Sequence, residues 1–177
     1  MWIIVGGSDH VGLERVDVGA REVLLDRVMP DRAGKPSERL REGRLPAAGL
    51  ALVARDGGTV VGSVRLWHVT AADRPALLLG PLAVEQRLRG KGVGAGLMQV
   101  ALNRAELAGH KAVILVGDPE YYARFGFVAD PATGLHMPGP VERRRFLAYE
   151  FVDGSLAGVE GRVMAAGAMV TGLREAA

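Results

Sequence analysis

The sequence predicts a single α/β domain (α+β in some classifications) over residues 1–177. The length of 177 residues fits one domain. The composition, with 49% hydrophobic and 24% charged residues, is typical of a globular protein with a full core. Apolar residues recur with the period of a strand in some segments and with the period of a helix in others, which indicates both element types in one fold.

The composition excludes several classes of function. The chain has no cysteine, so disulfides, thiolate metal sites and a cysteine nucleophile are excluded. Its four histidines show no metal-ligand spacing, and we expect no metal. The net charge of +2 is too small to indicate binding to nucleic acid. No apolar run approaches the roughly 18 residues of a membrane span, and the first residues lack the basic region of a signal peptide. We therefore expect a cytoplasmic protein that binds neither nucleic acid nor membrane.

The first half of the chain predicts a strand, two helices and a β-hairpin. Residues 1–5 predict a short strand, residues 20–29 have helical spacing up to a proline, and residues 36–42 predict a second short helix. The β-type runs at residues 50–55 and 59–68 flank Asp-Gly-Gly, a hairpin turn sequence.

Alternation sorts the second hairpin strand into two faces. It groups Val60 with Gly62 and Val64 on one face, and Arg65 with Trp67 on the other. The second pair is a candidate for lining a substrate pocket, although ordinary strand positions are the more frequent interpretation.

The second half predicts a broken strand and the longest helix. Residues 77–84 form an apolar run typical of a strand buried on both faces. Gly80-Pro81 within it predicts a bulge or break, because proline cannot donate to the ladder. Residues 92–108 have an apolar helical stripe that ends at a glycine.

The remaining elements are shorter. Residues 112–116 predict a buried strand, and Asp118-Pro119 begins a short helix that runs to residue 125. A strand begins at residue 127, a loop covers residues 129–141, and residues 146–152 predict a further strand. The small residues from position 154 onward give no clear pattern.

The chemistry-bearing motif is the glycine-rich loop before the longest helix. Gly90, Gly92 and Gly94 alternate there, and glycine lets the backbone turn tightly and approach a ligand closely. Several amides then point at one spot at the positive end of the helix dipole, which suits a phosphate or pyrophosphate. Nearby positive charge comes from Arg87, Arg89 and Lys91.

Three other interpretations of this loop were weighed. A Walker A loop needs Ser or Thr after Gly-Lys, whereas Gly92 follows Lys91. A dinucleotide-binding fingerprint needs the spacing G-x-G-x-x-G, which this loop lacks. It also needs an acidic residue after a strand at a set offset, and none stands there. A purely structural turn would bind no ligand, but two other features of the chain favour a phosphate site.

Three ordered features resemble the GCN5-related N-acetyltransferase (GNAT) family. Arg-Gly-Lys-Gly-Val-Gly at residues 89–94 fits the acetyl-CoA pyrophosphate loop, Arg/Gln-x-x-Gly-x-Gly/Ala. Tyr-Ala-Arg-Phe-Gly-Phe at residues 122–127 resembles the family's Tyr-x-x-x-Gly-Phe segment, and the Gly80-Pro81 break matches a bulge in its fourth strand. Residues 79–84 with residues 117–122 resemble the YhbS-like subgroup. The core signature spans residues 50–128, and the motifs do not reach residues 152–177.

The resemblance implies a fold and a reaction. The fold is a mixed, mostly antiparallel sheet of six or seven strands, with helices on both faces and a bulged, splayed fourth strand. The reaction is acyl-CoA-dependent N-acylation, in which acetyl passes from acetyl-CoA to an unidentified primary amine by direct attack in a ternary complex. The acceptor is a small-molecule or peptide amine, and a homodimer is possible.

The resemblance also assigns roles to residues. The pyrophosphate would bind Arg89, Gly90, Lys91, Gly92, Val93, Gly94 and Ala95. The pantetheine arm would pair with the backbone of Leu82, Ala83 and Val84 as an added strand, and a backbone N–H near Leu82 would stabilise the oxyanion. Tyr122 would be catalytic, as the acid for the leaving thiolate, with packing against Phe125 as the alternative.

Other questions stay open at this stage. Glu38, Glu85, His10 and His68 are candidate bases without a surrounding motif, and each is more simply a solvated group. The three arginines at residues 143–145 favour a solvated loop face. The alternative functions are a catalytically inactive CoA-binding regulatory module and a nucleotide-phosphate-binding enzyme.

Overall fold

The computed structural model describes residues 1–6 and 13–170 and has a mixed α/β fold with a mostly antiparallel sheet, as the sequence predicts. The strands are β1 (Trp2–Gly6), β2 (Ala51–Asp56), β3 (Thr59–Ala71), β4 (Arg74–Leu79), β5 (Ala83–Val84), β6 (Ala112–Val116), β7 (Leu135–His136), β8 (Phe146–Glu150) and β9 (Gly161–Ala165). The α-helices are α1 (Leu13–Val28), α2 (Val93–Leu107) and α3 (Pro119–Tyr122). The main path of the sheet is β1-β2-β3-β4-β6-β8, in which β4 and β6 are parallel.

The predicted hairpin joins β2 to β3. Gly57 and Gly58 both have positive φ, at 55° and 82°, as a two-residue hairpin turn requires. A register shift at Ala54/Arg55 then bulges the strand pair. Because the bulge reverses the side-chain alternation, Val60 packs with Leu24 and Leu25 of α1. The predicted grouping of Val60 with Val64 is therefore wrong.

The predicted break separates β4 from β5. β4 pairs with β6 at Leu77 and Leu78, whereas β5 pairs with β3 at Ser63 and Gly62. The chain beyond Gly80-Pro81 therefore leaves β6 while staying attached to β3. This divergence is the bulged, splayed fourth strand that the sequence predicts.

Helices cover both faces of the sheet. α2 buries Leu97, Met98 and Ala101 completely against one face. Gly62 allows this close approach, since a Cβ there would lie 3.0 Å from Leu97. On the other face, α1 packs through Leu24 and Leu25.

The number of strands differs from the prediction. The described residues form nine strands. The break makes β5 a separate strand, and β7 and β9 were not predicted. β9 pairs with the end of β3 and buries only Val163 deeply, so its sequence shows little apolar alternation. The strand expected at residue 127 is reduced to one bridge between Val128 and Ala148.

None of the helices in the described ranges has the length and apolar character needed to cross a bilayer.

Candidate functional site

The divergence of β4–β5 from β6 accompanies a cleft of about 720 Å³. Five parts of the chain line it: the end of α1 with the turns after it, the strand break, the start of α2, the segment around α3 and the turn before β8. The predicted cofactor-binding residues that line it are Leu82, Ala83, Val84, Arg89, Gly90, Gly92, Gly94 and Ala95. Two predicted residues do not line the cleft. Lys91 is exposed, and the side chain of Val93, the first residue of α2, is buried in the core. The fold thus gathers most of the predicted set around one cavity.

The glycine loop is a cradle that side chains would fill or distort. Gly90 and Gly92 have φ values of +77° and +84°, which L-residues rarely adopt. Gly92 is the N-cap of α2, and the first amides of a helix have no acceptor within it. A Cβ on Gly94 would lie 2.8 Å from the Tyr121 hydroxyl. These features, at the positive end of a 15-residue helix, suit an anion.

The basic residues of the loop separate in the fold. Arg89 lines the cleft, whereas Arg87 pairs with Asp56 at 3.4 Å. A further cation, Arg124, lies over the ring of Tyr121 at 4.8 Å from its centroid and also lines the cleft.

The strand break presents backbone groups to the cleft. Glu85 donates its N–H to Val61 O at 2.8 Å, and Ala83 pairs with Ser63. Successive residues of a strand turn their backbone groups to opposite sides, so Leu82 and Val84 face away from β3. β6 has diverged on that side, and the backbone there is open to pairing with an extended ligand.

Tyr122 combines packing with access to the cleft. Its ring lies against Gly117, where a Cβ would be 2.2 Å from Cε2, and it meets Tyr121 and Phe127 edge-on. The residue also lines the cleft. Burial raises the pKa of its hydroxyl, which is therefore protonated at neutral pH. Packing and catalysis, weighed as alternatives from the sequence, are thus geometrically compatible.

Comparison with known proteins places this fold and cleft in a family. The family model described as "Acetyltransferase (GNAT) domain" matches residues 47–129. The uncharacterized N-acetyltransferase YhbS of Escherichia coli K12 is 31% identical over 151 residues, which cover 84% of this chain and 90% of that protein. The chain belongs to the GNAT family of N-acetyltransferases. The family and the YhbS-like resemblance predicted from the motifs are confirmed.

Solved structures agree with this membership. The crystal structure of E. coli YhbS in complex with CoA has a TM-score of 0.75 and 30% identity, and covers 93% of this chain and 89% of that chain. A GNAT family acetyltransferase from Brucella melitensis in complex with acetyl-CoA has a TM-score of 0.59 and 23% identity over 98% of this chain and 97% of that chain. The second likeness shows the shared fold.

Three of the four candidate bases of this GNAT protein, Glu38, Glu85 and His68, are not among the described residues that line the cleft. Glu38 pairs with Arg41 at 2.9 Å, and Glu85 pairs with Arg27. His68 lies exposed beside His110, with 5.4 Å between ring centroids. His10 lies outside the described residues.

Arg65 and Trp67 lie behind the cleft and are not part of its lining. The Arg65 guanidinium stacks over the Trp67 ring at 5.0 Å, and Trp67 Nε1 donates to Gly80 O at 2.6 Å. Arg65 O accepts from Gly80 N–H at 2.8 Å. The pair therefore supports the strand break, which agrees with the ordinary strand positions that the sequence favours for these two residues.

Several polar residues that line the cleft were not predicted to do so: Arg32, Lys35, Ser37, Arg41 and Arg145. Arg143, Arg144 and Arg145 are all exposed, as the solvated interpretation predicts, but two of them also donate to backbone carbonyls. Arg143 donates to two carbonyls, and Arg145 Nε donates to Gly117 O at 3.2 Å. The arginine run was the one signal for Arg145. Arg41 had none, because it follows a short turn of ordinary composition.

Proposed function

We propose that this protein transfers an acetyl group from acetyl-CoA to a primary amine, which attacks directly while both substrates are bound. One observation carries the proposal: a single cleft joins the glycine cradle, the open backbone of residues 82–84 and the protonated Tyr122 hydroxyl. The CoA complex of the related E. coli protein supports the choice of cosubstrate.

The glycine cradle fits the pyrophosphate of CoA. The amides of residues 89–95 lie at the start of α2, and Arg89 and Arg124 add positive charge along the same lining. Gly90 and Gly92 hold backbone conformations that would strain other residues. Glycine is thus required for the shape of the loop as well as for access.

The strand break fits the pantetheine arm. The amides of the pantetheine arm can pair with the open backbone of Leu82 and Val84, as an added strand would. The Leu82 N–H would also donate to the thioester oxygen as negative charge develops on it. Acetyl-CoA supplies an acetyl group activated as a thioester.

Tyr122 would complete the proton balance of the reaction. A C–N bond forms between the amine and the acetyl carbon, the C–S bond breaks, and the sulfur leaves with the electron pair. The Tyr122 hydroxyl donates a proton to this sulfur, the amine loses a proton to solvent, and the Tyr122 oxygen takes a proton back from solvent. Burial raises the pKa of Tyr122, so its hydroxyl carries a proton at neutral pH, as the hydroxyl of an unburied tyrosine also does.

The test is CoA thiol release from acetyl-CoA in the presence and absence of a panel of amines, with the acetylated product identified by mass. We expect release that depends on the amine and yields one acetyl-amine per thiol. CoA binding by calorimetry with no amine-dependent release would support the regulatory module instead. Thermal stabilisation by ATP or NAD, without stabilisation by CoA, would support the nucleotide-binding alternative.

A further inference from the structure

The lining of the cleft holds more cations than carboxylates. Arg32, Lys35, Arg41 and Arg145 line the cleft, in which Asp118 is the one carboxylate among the described lining residues. Arg41 lies beside Gly80, whereas Gly94 of the phosphate cradle contacts Val84. Arg41 therefore lies against the strand break.

Arg41 is the most deeply buried of these cations. Its side chain is 7% exposed, and Nη1 donates to Glu38 Oε2 at 2.9 Å. Its Nε has no hydrogen-bond partner within the described part of the chain. Burial lowers the pKa of Arg41, and Glu38, itself 31% exposed, offsets this only in part. A buried guanidinium with incomplete pairing is costly to a fold.

The missing side chain of Gly80 leaves a space that two donors border. The position of a Cβ on Gly80 would be 3.1 Å from Arg41 Nη2 and 4.0 Å from the Leu82 backbone nitrogen. Gly80 thus keeps the guanidinium accessible at the place where a longer side chain would cover it.

The carboxylate of Glu22 is engaged by other arginines. Glu22 pairs with Arg21 at 3.4 Å, with Arg32 at 2.9 Å and with Arg65 at 3.6 Å. Arg65 is also buried, and its Nε has no partner among the described residues. The described charges around Arg41 therefore leave its Nη2 available to an anion that enters through the cleft.

We propose that the amine acceptor also carries an anionic group, a carboxylate or a phosphate, and that Arg41 binds this group. The inference rests on the proposed acetyl transfer and names the class of its acceptor. A permanent anion on the acceptor pairs with the buried cation whenever the substrate is bound. Charge on the thioester oxygen exists only during the reaction, so it would leave Arg41 poorly paired in the bound state.

The experiment compares matched acceptors that differ in the anion: an α-amino acid with its amide, and phosphoethanolamine with ethanolamine. Thiol release gives kcat/KM for each. We expect the wild type to prefer the anionic member of at least one pair by about tenfold or more, the size expected for a hydrogen-bonded charge pair. The substitution Arg41→Gln should remove this preference while CoA affinity by calorimetry is unchanged.

Two variants make the comparison specific. Arg39→Gln removes an exposed cation of the same turn, whose Nη1 donates to Pro138 O, and should keep the preference. Arg41→Lys keeps the charge without the planar fork and should retain part of it. If Arg41→Gln lowers melting temperature severely, the wild-type preference and Arg41→Lys still decide the question.

Three results would overturn the inference. Equal or better use of the neutral members of both pairs contradicts it and leaves acetyl transfer intact. An equal loss of kcat for both members in Arg41→Gln would assign Arg41 to the thioester oxygen. Absence of turnover with every amine would remove the proposed function, and the acceptor class with it.

Discussion

The phosphate-loop end of the cleft is built from seven consecutive residues, 89–95, whereas the Arg41 end is assembled from separate parts of the chain. Arg41 comes from the turns after α1, Gly80 from the strand break, Tyr122 from α3 and Arg145 from the turn before β8. In the proposed function, the first end binds CoA mainly through backbone amides, and the second end acts mainly through side chains. Changes at the first end should therefore alter CoA binding, and changes at the second should alter turnover or acceptor choice.

The largest expected effect separates the two ends through Tyr122. Tyr122→Phe keeps the packed ring and removes the hydroxyl, so we expect kcat to fall by about a hundredfold, the low end for general acid catalysis. CoA affinity and melting temperature should stay close to wild type, because the acid contributes mainly in the transition state. Steady-state thiol release, calorimetry and thermal unfolding measure the three quantities.

A loss of kcat smaller than about threefold, which is far below general acid catalysis, would assign Tyr122 to packing alone. A loss of CoA binding instead would make it a cofactor contact and would blur the division between the two ends.

The next effect concerns the phosphate loop. Gly94→Val adds a side chain beside the amides of the glycine-rich loop. The Cβ alone would lie 2.8 Å from the Tyr121 hydroxyl, and the two methyl groups need further space. We expect CoA affinity to fall tenfold or more, about 1.4 kcal/mol, in a folded protein. Calorimetry with CoA tests this, and Gly19→Val is the control, because Gly19 of α1 has open space around it. Unchanged affinity in folded Gly94→Val would contradict the site assignment.

A smaller effect tests how the ring of Tyr122 is positioned. A Cβ on Gly117 would lie 2.2 Å from Tyr122 Cε2, so Gly117→Ala must displace the ring. We expect kcat to fall roughly three- to tenfold, since small misplacements of catalytic groups are costly. In the Tyr122→Phe background the same change should have less effect, because the two residues act together. Equal effects in both backgrounds would show that Gly117 acts independently of the hydroxyl.

The smallest effect is on the pH profile. Burial raises the pKa of Tyr122, and the proton-donating form persists as pH rises until that raised pKa is reached. Loss of the Tyr122 proton should therefore change kcat by less than about twofold between about pH 7 and about pH 9. The profiles of wild type and Tyr122→Phe should have the same shape over this range. A falling limb present in wild type and absent from Tyr122→Phe would show a lower pKa than the fold implies.

The predicted elements succeed where local signals are strong. Residues 112–116 were predicted as a strand with the observed bounds, and the predicted helix at residues 92–108 matches α2 to within one residue at each end. β9 was missed because its one deeply buried residue, Val163, gives no alternation. The face of the sheet predicted for Val60 was wrong because a β-bulge shifts the alternation. A bulge depends on how two strands pair, so the sequence of one strand does not reveal it.

The sequence by itself determined the family and the backbone shape of the glycine-rich loop, because both depend on neighbouring residues. Alternating glycines, a helix start and a Gly-Pro break act on the backbone locally, and their order along the chain identifies the GNAT family. Only the tertiary structure decided the Arg41 end of the cleft. Arg41 meets Gly80 across 39 positions of sequence, and its burial depends on how the turns after α1 pack over the strand break. Charge and burial of this kind arise between distant segments, so no local pattern records them.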